Sequence, residues 1–222
     1  MTVFSGLLPE QPFALTVNGR NLLSILMLPE NLEEFARGYL ATEAIIPSDE
    51  IESVMIDHQT ISVLTTNPFK VLLPKRAVIS GCGGTASYLD PAKLPVLGKG
   101  ITASSSLLAA EFPSNILALG GYSAATRFFD GATFLASDLS QHTALDKVTG
   151  LVLKNGRKPA DAILLLSGKV TADTVRKTLN AGYSILSSCQ PPTALAVELA
   201  DSCNLTLICL PEKVYTHSER IR

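Results

Sequence analysis

Residues 162–182 read Ala162-Ile163-Leu164-Leu165-Leu166-Ser167-Gly168-Lys169-Val170-Thr171-Ala172-Asp173-Thr174-Val175-Arg176-Lys177-Thr178-Leu179-Asn180-Ala181-Gly182. The five apolar residues at the start form the longest such run in the chain, which is strand length and suits a strand buried on both faces. Ser167-Gly168-Lys169 then turns the chain. Thr171 is placed to cap a helix over residues 171–181 that Gly182 ends. The pattern repeats downstream: a strand at 184–188, a helix from Pro192 to Cys203 and a last strand at 205–210. Upstream, residues 133–137 predict a strand and 141–153 a helix that stops before Asn155-Gly156. Helices alternating with short apolar strands predict an α/β sheet covered on both faces.

The first third has a different texture. Asn18-Gly19 between residues 13–17 and 21–28 is a two-residue hairpin signal, because the turn needs positive φ at both positions. Pro29 stops the second strand. Asn31, with Glu34 three residues on, predicts a capping box opening a helix from Leu32 to about Ala44. Leu32, Phe35, Tyr39 and Leu40 form the apolar stripe of that helix. Residues 51–56, 61–64 and 71–79 predict further strands, with Pro74 marking the last as an edge or broken strand. Ser80-Gly81-Cys82-Gly83-Gly84-Thr85 is glycine-rich and is followed by Pro91, Pro95 and Gly98. The predicted organisation is therefore a small N-terminal α+β domain (1–80), a cysteine-bearing loop and linker (81–100) and an α/β domain (101–222). Within the last, a helix is predicted near Ser104 behind a Thr102 cap.

The 222 residues suffice for one large or two small domains with a sizeable core. Charged residues are 17% and apolar residues 46%, and mean hydropathy is +0.29, which excludes a disordered chain. A net charge of -2 provides no global field for nucleic acid or anionic lipid. No apolar run reaches the length of a membrane span, and the N-terminus lacks the features of a signal peptide, so a cytoplasmic location is expected. Four cysteines without a CxxC pair do not make a disulfide framework.

Several positions could carry chemistry. Cys82 lies among glycines that remove side-chain shielding, so it is either a reactive thiol or a small residue in a tight turn. Lys75 and Arg76 are close enough in sequence to lower its pKa. His142 and Asp146 are four apart at the start of a helix. They read either as a His oriented by a carboxylate, with Lys147 binding phosphate, or as an ordinary surface pair. Ser167-Gly168-Lys169 and Ser188-Cys189-Gln190-Pro191-Pro192-Thr193 both join a strand to a helix, where backbone N–H groups favour anions. Cys203, Cys209 and His217 have spacings unlike a zinc site and read as packing residues. His58 reads as solvated in a hairpin turn. Ser104 to Ser106 lack a nearby His and do not read as a hydrolase site.

At these residues the chain resembles the FdhD/NarQ family of formate dehydrogenase accessory sulfurtransferases. Val17-Asn18-Gly19, and Phe35-Ala36-Arg37-Gly38-Tyr39-Leu40 followed by Glu43, resemble the family's NG hairpin and its G-F-L-x-x-E-G helix. Ser80-Gly81-Cys82-Gly83 resembles the start of its cysteine loop. His142-Thr143-Ala144-Leu145-Asp146-Lys147-Val148 with Gly150 is similar to R-H-N-A-L-D-K-V-I-G. Ser167-Gly168-Lys169 is similar to S-G-R. Pro192-Thr193-Ala194-Leu195-Ala196-Val197-Glu198-Leu199-Ala200 resembles P-T-S-L-A-V-E-L-A.

The resemblance implies a cytidine-deaminase-like α/β domain behind the N-terminal domain. It implies a homodimer that accepts persulfide sulfur from a cysteine desulfurase on Cys82. The sulfur then passes to a guanine-dinucleotide molybdenum or tungsten cofactor destined for formate dehydrogenase or a related molybdoenzyme. The implied cofactor pocket holds Gly121, His142, Asp146, Lys147, Ser167, Gly168, Thr193 and the late loop Leu210-Pro211-Glu212-Lys213. No nucleic acid, membrane or resident metal is implied.

Four departures from the family pattern stand out. Thr85 occupies the second position of the loop's C-x-x-C. Gln141 replaces an arginine, and Ser123 a histidine. The late loop, G-F-x-R-x-x-R in the family, is shortened and has lost both arginines. These losses favour the alternative of a degenerate member that binds a nucleotide, cofactor or protein as a chaperone without transferring sulfur. A zinc deaminase is excluded because H-x-E with a downstream P-C-x-x-C is absent.

Overall fold

The computed structural model describes residues 6–67, 76–78, 85–87, 91–98, 101–108, 111–211 and 213–222. Strands β1 (Gln11–Val17) and β2 (Arg20–Met27) form the expected hairpin, with Asn18 and Gly19 at φ 49° and 75°. Helix α1 (Leu32–Thr42) follows, then the hairpin β3 (Ile51–Asp57) and β4 (Thr60–Thr65). The four strands lie in the order β2-β1-β4-β3, with β1 and β4 parallel. Phe13, Leu15, Val17, Ile61 and Val63 turn to one face of this sheet, where Phe35, Ala36 and Leu40 of α1 cover them.

The capping box is not formed. Asn31 precedes α1 but sits at φ 55° and makes no side-chain cap. The tight turn after Pro29 takes the left-handed backbone that asparagine tolerates, so its amide cannot reach the helix N–H groups. Of the strand predicted at 71–79, Arg76–Val78 forms β5, paired antiparallel with β6 (Thr85–Ser87), while residues 71–75 and 79 lie outside the described residues. Cys82 and the rest of residues 79–84 lie outside the described residues.

The helix expected near Ser104 is a single 3-10 turn at Ser105–Leu107, capped by the Ser104 side chain rather than by Thr102. Consecutive serines bond their own backbone and do not sustain a helix interior. A short helix α2 (Ser114–Ala118) lies beyond it. Strands β7 (Tyr122–Phe128) and β8 (Thr133–Asp138) form a hairpin. They are followed by α3 (Gln141–Lys154), β9 (Ala162–Lys169), α4 (Ala172–Ala181), β10 (Ile185–Gln190), α5 (Ala194–Ser202), β11 (Thr206–Cys209) and β12 (Lys213–Val214). The second sheet runs β12-β11-β10-β9-β7-β8. Its strands β9, β10 and β11 are parallel, while β7 runs antiparallel to both its neighbours.

One face of this sheet, with Leu164, Leu166, Leu186 and Leu207, packs under α3, α4 and α5. The other face, with Ile163, Leu165, Ile185 and Ile208, is covered by Ala103, Leu107, Leu108, Phe112 and Ile221. Both faces are thus covered as expected, but irregular chain covers the second. The C-terminal residues hold that segment in place. Ala103 N–H donates to Arg220 O, Ser105 N–H to Arg222 O, and Arg222 N–H to Ala103 O.

Helix α1 is sandwiched between its own sheet and α3, and the two helices meet at glycines. A Cβ on Gly38 would overlap the backbone carbonyl of Asp146, and a Cβ on Gly150 would overlap that of Glu34. Gly→Ala in a helix interior ordinarily gains up to about 1 kcal/mol. Here Gly150→Ala should instead destabilise by about 1–3 kcal/mol, as overpacking does. Chemical denaturation of the variant measures this, and a gain in stability would contradict the close approach.

Candidate functional site

The parallel strands β9, β10 and β11 end side by side, and their connections to the next elements are tied together. Ser188 Oγ donates to Gly168 O, Thr193 N–H to Val170 O and Leu210 N–H to Ser188 O. Thr193 caps α5 by accepting from Ala196 N–H at 3.3 Å. Ser167 Oγ accepts from Ser123 N–H at 2.9 Å. Gly168 is pressed against the Tyr122 ring and the Gln141 amide, with no room for a Cβ. Gln141 Nε2 donates to Lys169 O at 2.8 Å, which brings the start of α3 to the same edge. Gly121 flanks it, where an added Cβ would meet the Ile116 side chain and Asp138 O. The carboxyl edge of the sheet therefore gathers Gly121, His142, Ser167, Gly168, Thr193 and Leu210. Open α/β sheets bind ligands at such an edge.

His142 is about a third exposed, and its Nε2 lies 3.4 Å from Asp173 Oδ2. Its orienting carboxylate is thus Asp173 rather than Asp146. Although the pair lies within ion-pair distance, Nε2 has no partner at hydrogen-bond geometry. Burial, and then the positive charge of Lys177, pushes the imidazole pKa down, so the ring is neutral near pH 7.

Asp146 and Lys147 turn away from this edge. Both side chains are buried where α3 meets the N-terminal unit, so neither lines the edge itself. Lys147 Nζ lies 2.6 Å from Asp138 Oδ2 and donates to Leu28 O at 2.8 Å, while Leu28 N–H donates to Asp138 Oδ2 at 3.3 Å. Together the two side chains grip both polar groups of one peptide residue between β2 and α1. Burial pushes the Asp138 carboxyl up against the opposing pull of Lys147.

Asp146 accepts from Thr42 Oγ1 at 2.6 Å and from Lys177 Nζ at 3.0 Å. Lys177 also reaches Glu43 at 2.8 Å, and Arg176 bridges Glu43 at 2.9 Å and Asp173 at 2.7 Å. Sequence reasoning missed Asp138, Asp173, Arg176 and Lys177. Their partners lie up to 135 residues away, and only a pairing of charges between separate helices could have revealed them.

Lys213 lies over the Tyr215 ring at 4.5 Å, and Pro211 follows Leu210 through a cis peptide. Glu212, like Cys82, lies outside the described residues. Cys189 is exposed and walls a shallow apolar groove with Leu108, Phe112, Leu165 and Leu210. Burial and the neighbouring Cys209 push its thiol pKa up, so it stays protonated. Cys203 is buried in the core, as its packing reading requires, and His58 is solvated.

The family model described as FdhD/NarQ matches residues 8–222. The chain belongs to the FdhD/NarQ family. It is 31% identical to the sulfur carrier protein FdhD of Geobacillus kaustophilus, over 96% of this chain and 88% of that protein. It is 29% identical to FdhD of Staphylococcus aureus with the same coverage. The crystal structure of a Desulfotalea psychrophila protein, provisionally assigned as a formate dehydrogenase accessory protein, superimposes with a TM-score of 0.75. That likeness, at 23% identity over 96% of this chain and 90% of the other, is one of fold. Among the described residues no helix is long and apolar enough to cross a membrane, and no cluster of His, Cys, Asp and Glu could hold a metal.

Removing Lys147 would leave the Asp138 carboxylate buried without its cation. Lys147→Met should therefore cost about 3–5 kcal/mol, and adding Asp138→Leu should regain only part of it, because Leu28 N–H and O then both lack their partners. Unfolding of the single and double variants tests this. Failure of the second change to rescue the first would refute the pairing.

Glu43 supplies a pH test. Its two cations outweigh burial and hold its pKa down to about 2, against 4.5 ordinarily. A depressed carboxyl contributes stability that is present above pH 4.5 and lost as pH falls toward 2. The acid limb of the melting curve should flatten in Glu43→Gln.

Proposed function

We propose that this FdhD/NarQ protein is a sulfur carrier in the maturation of formate dehydrogenase, with Cys82 as the carrying thiol. The observation that supports this most strongly is the family match over residues 8–222, which takes in the Ser80-Gly81-Cys82-Gly83 segment. In this reading the Cys82 thiolate attacks the outer sulfur of a persulfide on a cysteine desulfurase. The donor's S–S bond breaks, its cysteine leaves as thiolate, and Cys82 holds the persulfide. The outer sulfur then passes to a guanine-dinucleotide molybdenum cofactor, which is cargo here rather than a resident group. The Cys82 S–S bond breaks, Cys82 returns to the thiol, and the two electrons that bring the transferred sulfur to the sulfide level come from the reduced metal of the cargo.

The carboxyl edge of β9, β10 and β11 suits such cargo. The turns at Gly168 and Thr193 lead into helices whose N-termini favour anions, and Lys169 is an exposed cation beside them. Neutral His142 is placed to donate or accept a hydrogen bond there. The strand order, with a parallel core β9–β10–β11 beside an antiparallel β7, supports a cytidine-deaminase-like organisation of residues 101–222.

Incubation with a cysteine desulfurase and cysteine should add one sulfur atom to Cys82, detectable by mass spectrometry. Cys82→Ala should abolish the adduct. An unmodified Cys82 beside a modified control carrier would overturn the reading.

One observation favours the alternative of a chaperone that no longer transfers sulfur. Gln141 is committed to Lys169 O beneath the turn, and Lys213 is stacked on Tyr215, so the edge is poorer in free cations than the family pattern implies. Guanosine diphosphate binding that survives in Cys82→Ala, with no sulfur adduct on the native chain, would select that reading. Lys169→Ala should weaken the binding about tenfold or more, the scale of one charge-assisted contact.

A further inference from the structure

Three carboxylates and two cations meet where α1, α3 and α4 pack together. Glu43 comes from the end of α1, Asp146 from α3, and Asp173, Arg176 and Lys177 from α4. Tyr39 of α1 places its ring 5.1 Å from Lys177 Nζ, and burial pushes its hydroxyl pKa up, so it adds no charge. Thr42 and Asn180 complete the cluster with neutral groups: Thr42 Oγ1 donates to Asp146 and Asn180 Nδ2 donates to Thr42 O. His142 of α3 stands at its outer end beside Asp173. The nearest other ions on α3 and α1 are already paired, Lys147 with Asp138 and Lys154 with Glu33 and Glu34. With His142 neutral, the cluster carries one negative charge in excess.

The three carboxylates are not equally placed to bear that excess. Glu43 contacts both cations, at 2.9 and 2.8 Å. Asp173 holds Arg176 at 2.7 Å and keeps some exposure. Asp146 is wholly buried, must share Lys177 with Glu43, and has a neutral hydroxyl as its other donor. We propose that Asp146 takes up a proton as the pH falls below neutrality and that the α1–α3–α4 joint is thereby tightened in mild acid.

Burial pushing the Asp146 pKa up to about 6 agrees with this geometry. A carboxyl whose folded pKa is raised binds its proton more tightly in the folded state. Its contribution to stability therefore grows as pH falls through about 6 and is lost as pH rises through it. The protonated carboxyl still accepts from Lys177, so no partner is stranded. The proposal does not depend on the sulfur-carrier reading.

Carbon-13 NMR of the side-chain carboxyls and of the His142 ring in the full chain, from pH 8 to pH 5, tests it directly. The Asp146 carboxyl should titrate with a midpoint near 6 while Glu43 remains ionised. Through-bond assignment in the native chain makes this readout independent of any variant. Asp146→Asn assigns it a second time and should also remove a rise of about 2–4 °C in the native melting midpoint between pH 7.5 and 5.5. An Asp146 signal unchanged over this range, or a His142 that takes the proton instead, would overturn the proposal.

Discussion

The fold of this protein turns on the backbone contact between α1 and α3. Gly38 and Gly150 let the two helices approach until the main chain of each touches the other, which no residue with a Cβ would permit. This distance brings the end of α1 within reach of α4, so that Thr42 and Glu43 can meet Arg176 and Lys177. It also brings the chain ahead of α1 under α3, where Asp138 and Lys147 hold Leu28. The N-terminal unit is joined to the second sheet through this helix pair, and the polar contacts around it depend on the same spacing.

Burying so many ions is not an economical way to gain stability, since desolvation offsets most of the attraction between the charges. Their value lies in orientation. An apolar α1–α3 interface could slide or rotate with small loss. The grip on Leu28 has one register, and so has the chain from Asp146 through Lys177, Glu43 and Arg176 to Asp173. That chain ends at His142, on the carboxyl edge of the sheet. The polar joint thus fixes the angle at which α3 and α4 present their N-termini to the candidate site.

Local signals in the sequence were sufficient for the elements governed by local physics. The Asn18-Gly19 hairpin, the Thr171 cap and Gly182 stop of α4, and the apolar strands β9, β10 and β11 all follow from turn chemistry and hydrophobic runs. The Asn31 cap failed because the turn after Pro29 demanded a left-handed backbone. The helix at Ser104 failed because the serines satisfied themselves locally. His142, Asp146 and Lys147 look equivalent as a motif, since helical spacing places four-apart residues on one side. Only the position of α1 reveals that Asp146 and Lys147 face a buried joint while His142 reaches the edge. Glycine spacing in α1 and α3 was visible in the sequence, but nothing local states that Gly38 faces Asp146 or that Gly150 faces Glu34.

The two turns at the sheet edge are held by groups that a ligand need not supply. Ser188 ties the β9 turn, Val170 O receives Thr193 N–H, and Gln141 fixes Lys169 O from below. An edge built this way meets an anion with backbone dipoles and little rearrangement, whereas flexible arginines would have to be ordered on binding. Preorganised donors can offset part of the attraction lost with the family's arginines, but a helix N-terminus supplies less than a full charge and acts only within its first turn. In the proposed reading, this balance favours recognition of one or two phosphates close to the turns over a long polyanion held along the whole edge. For a carrier that must release its cargo, weaker electrostatic retention is compatible with function, provided that the fixed turns still set the orientation in which the cargo is held.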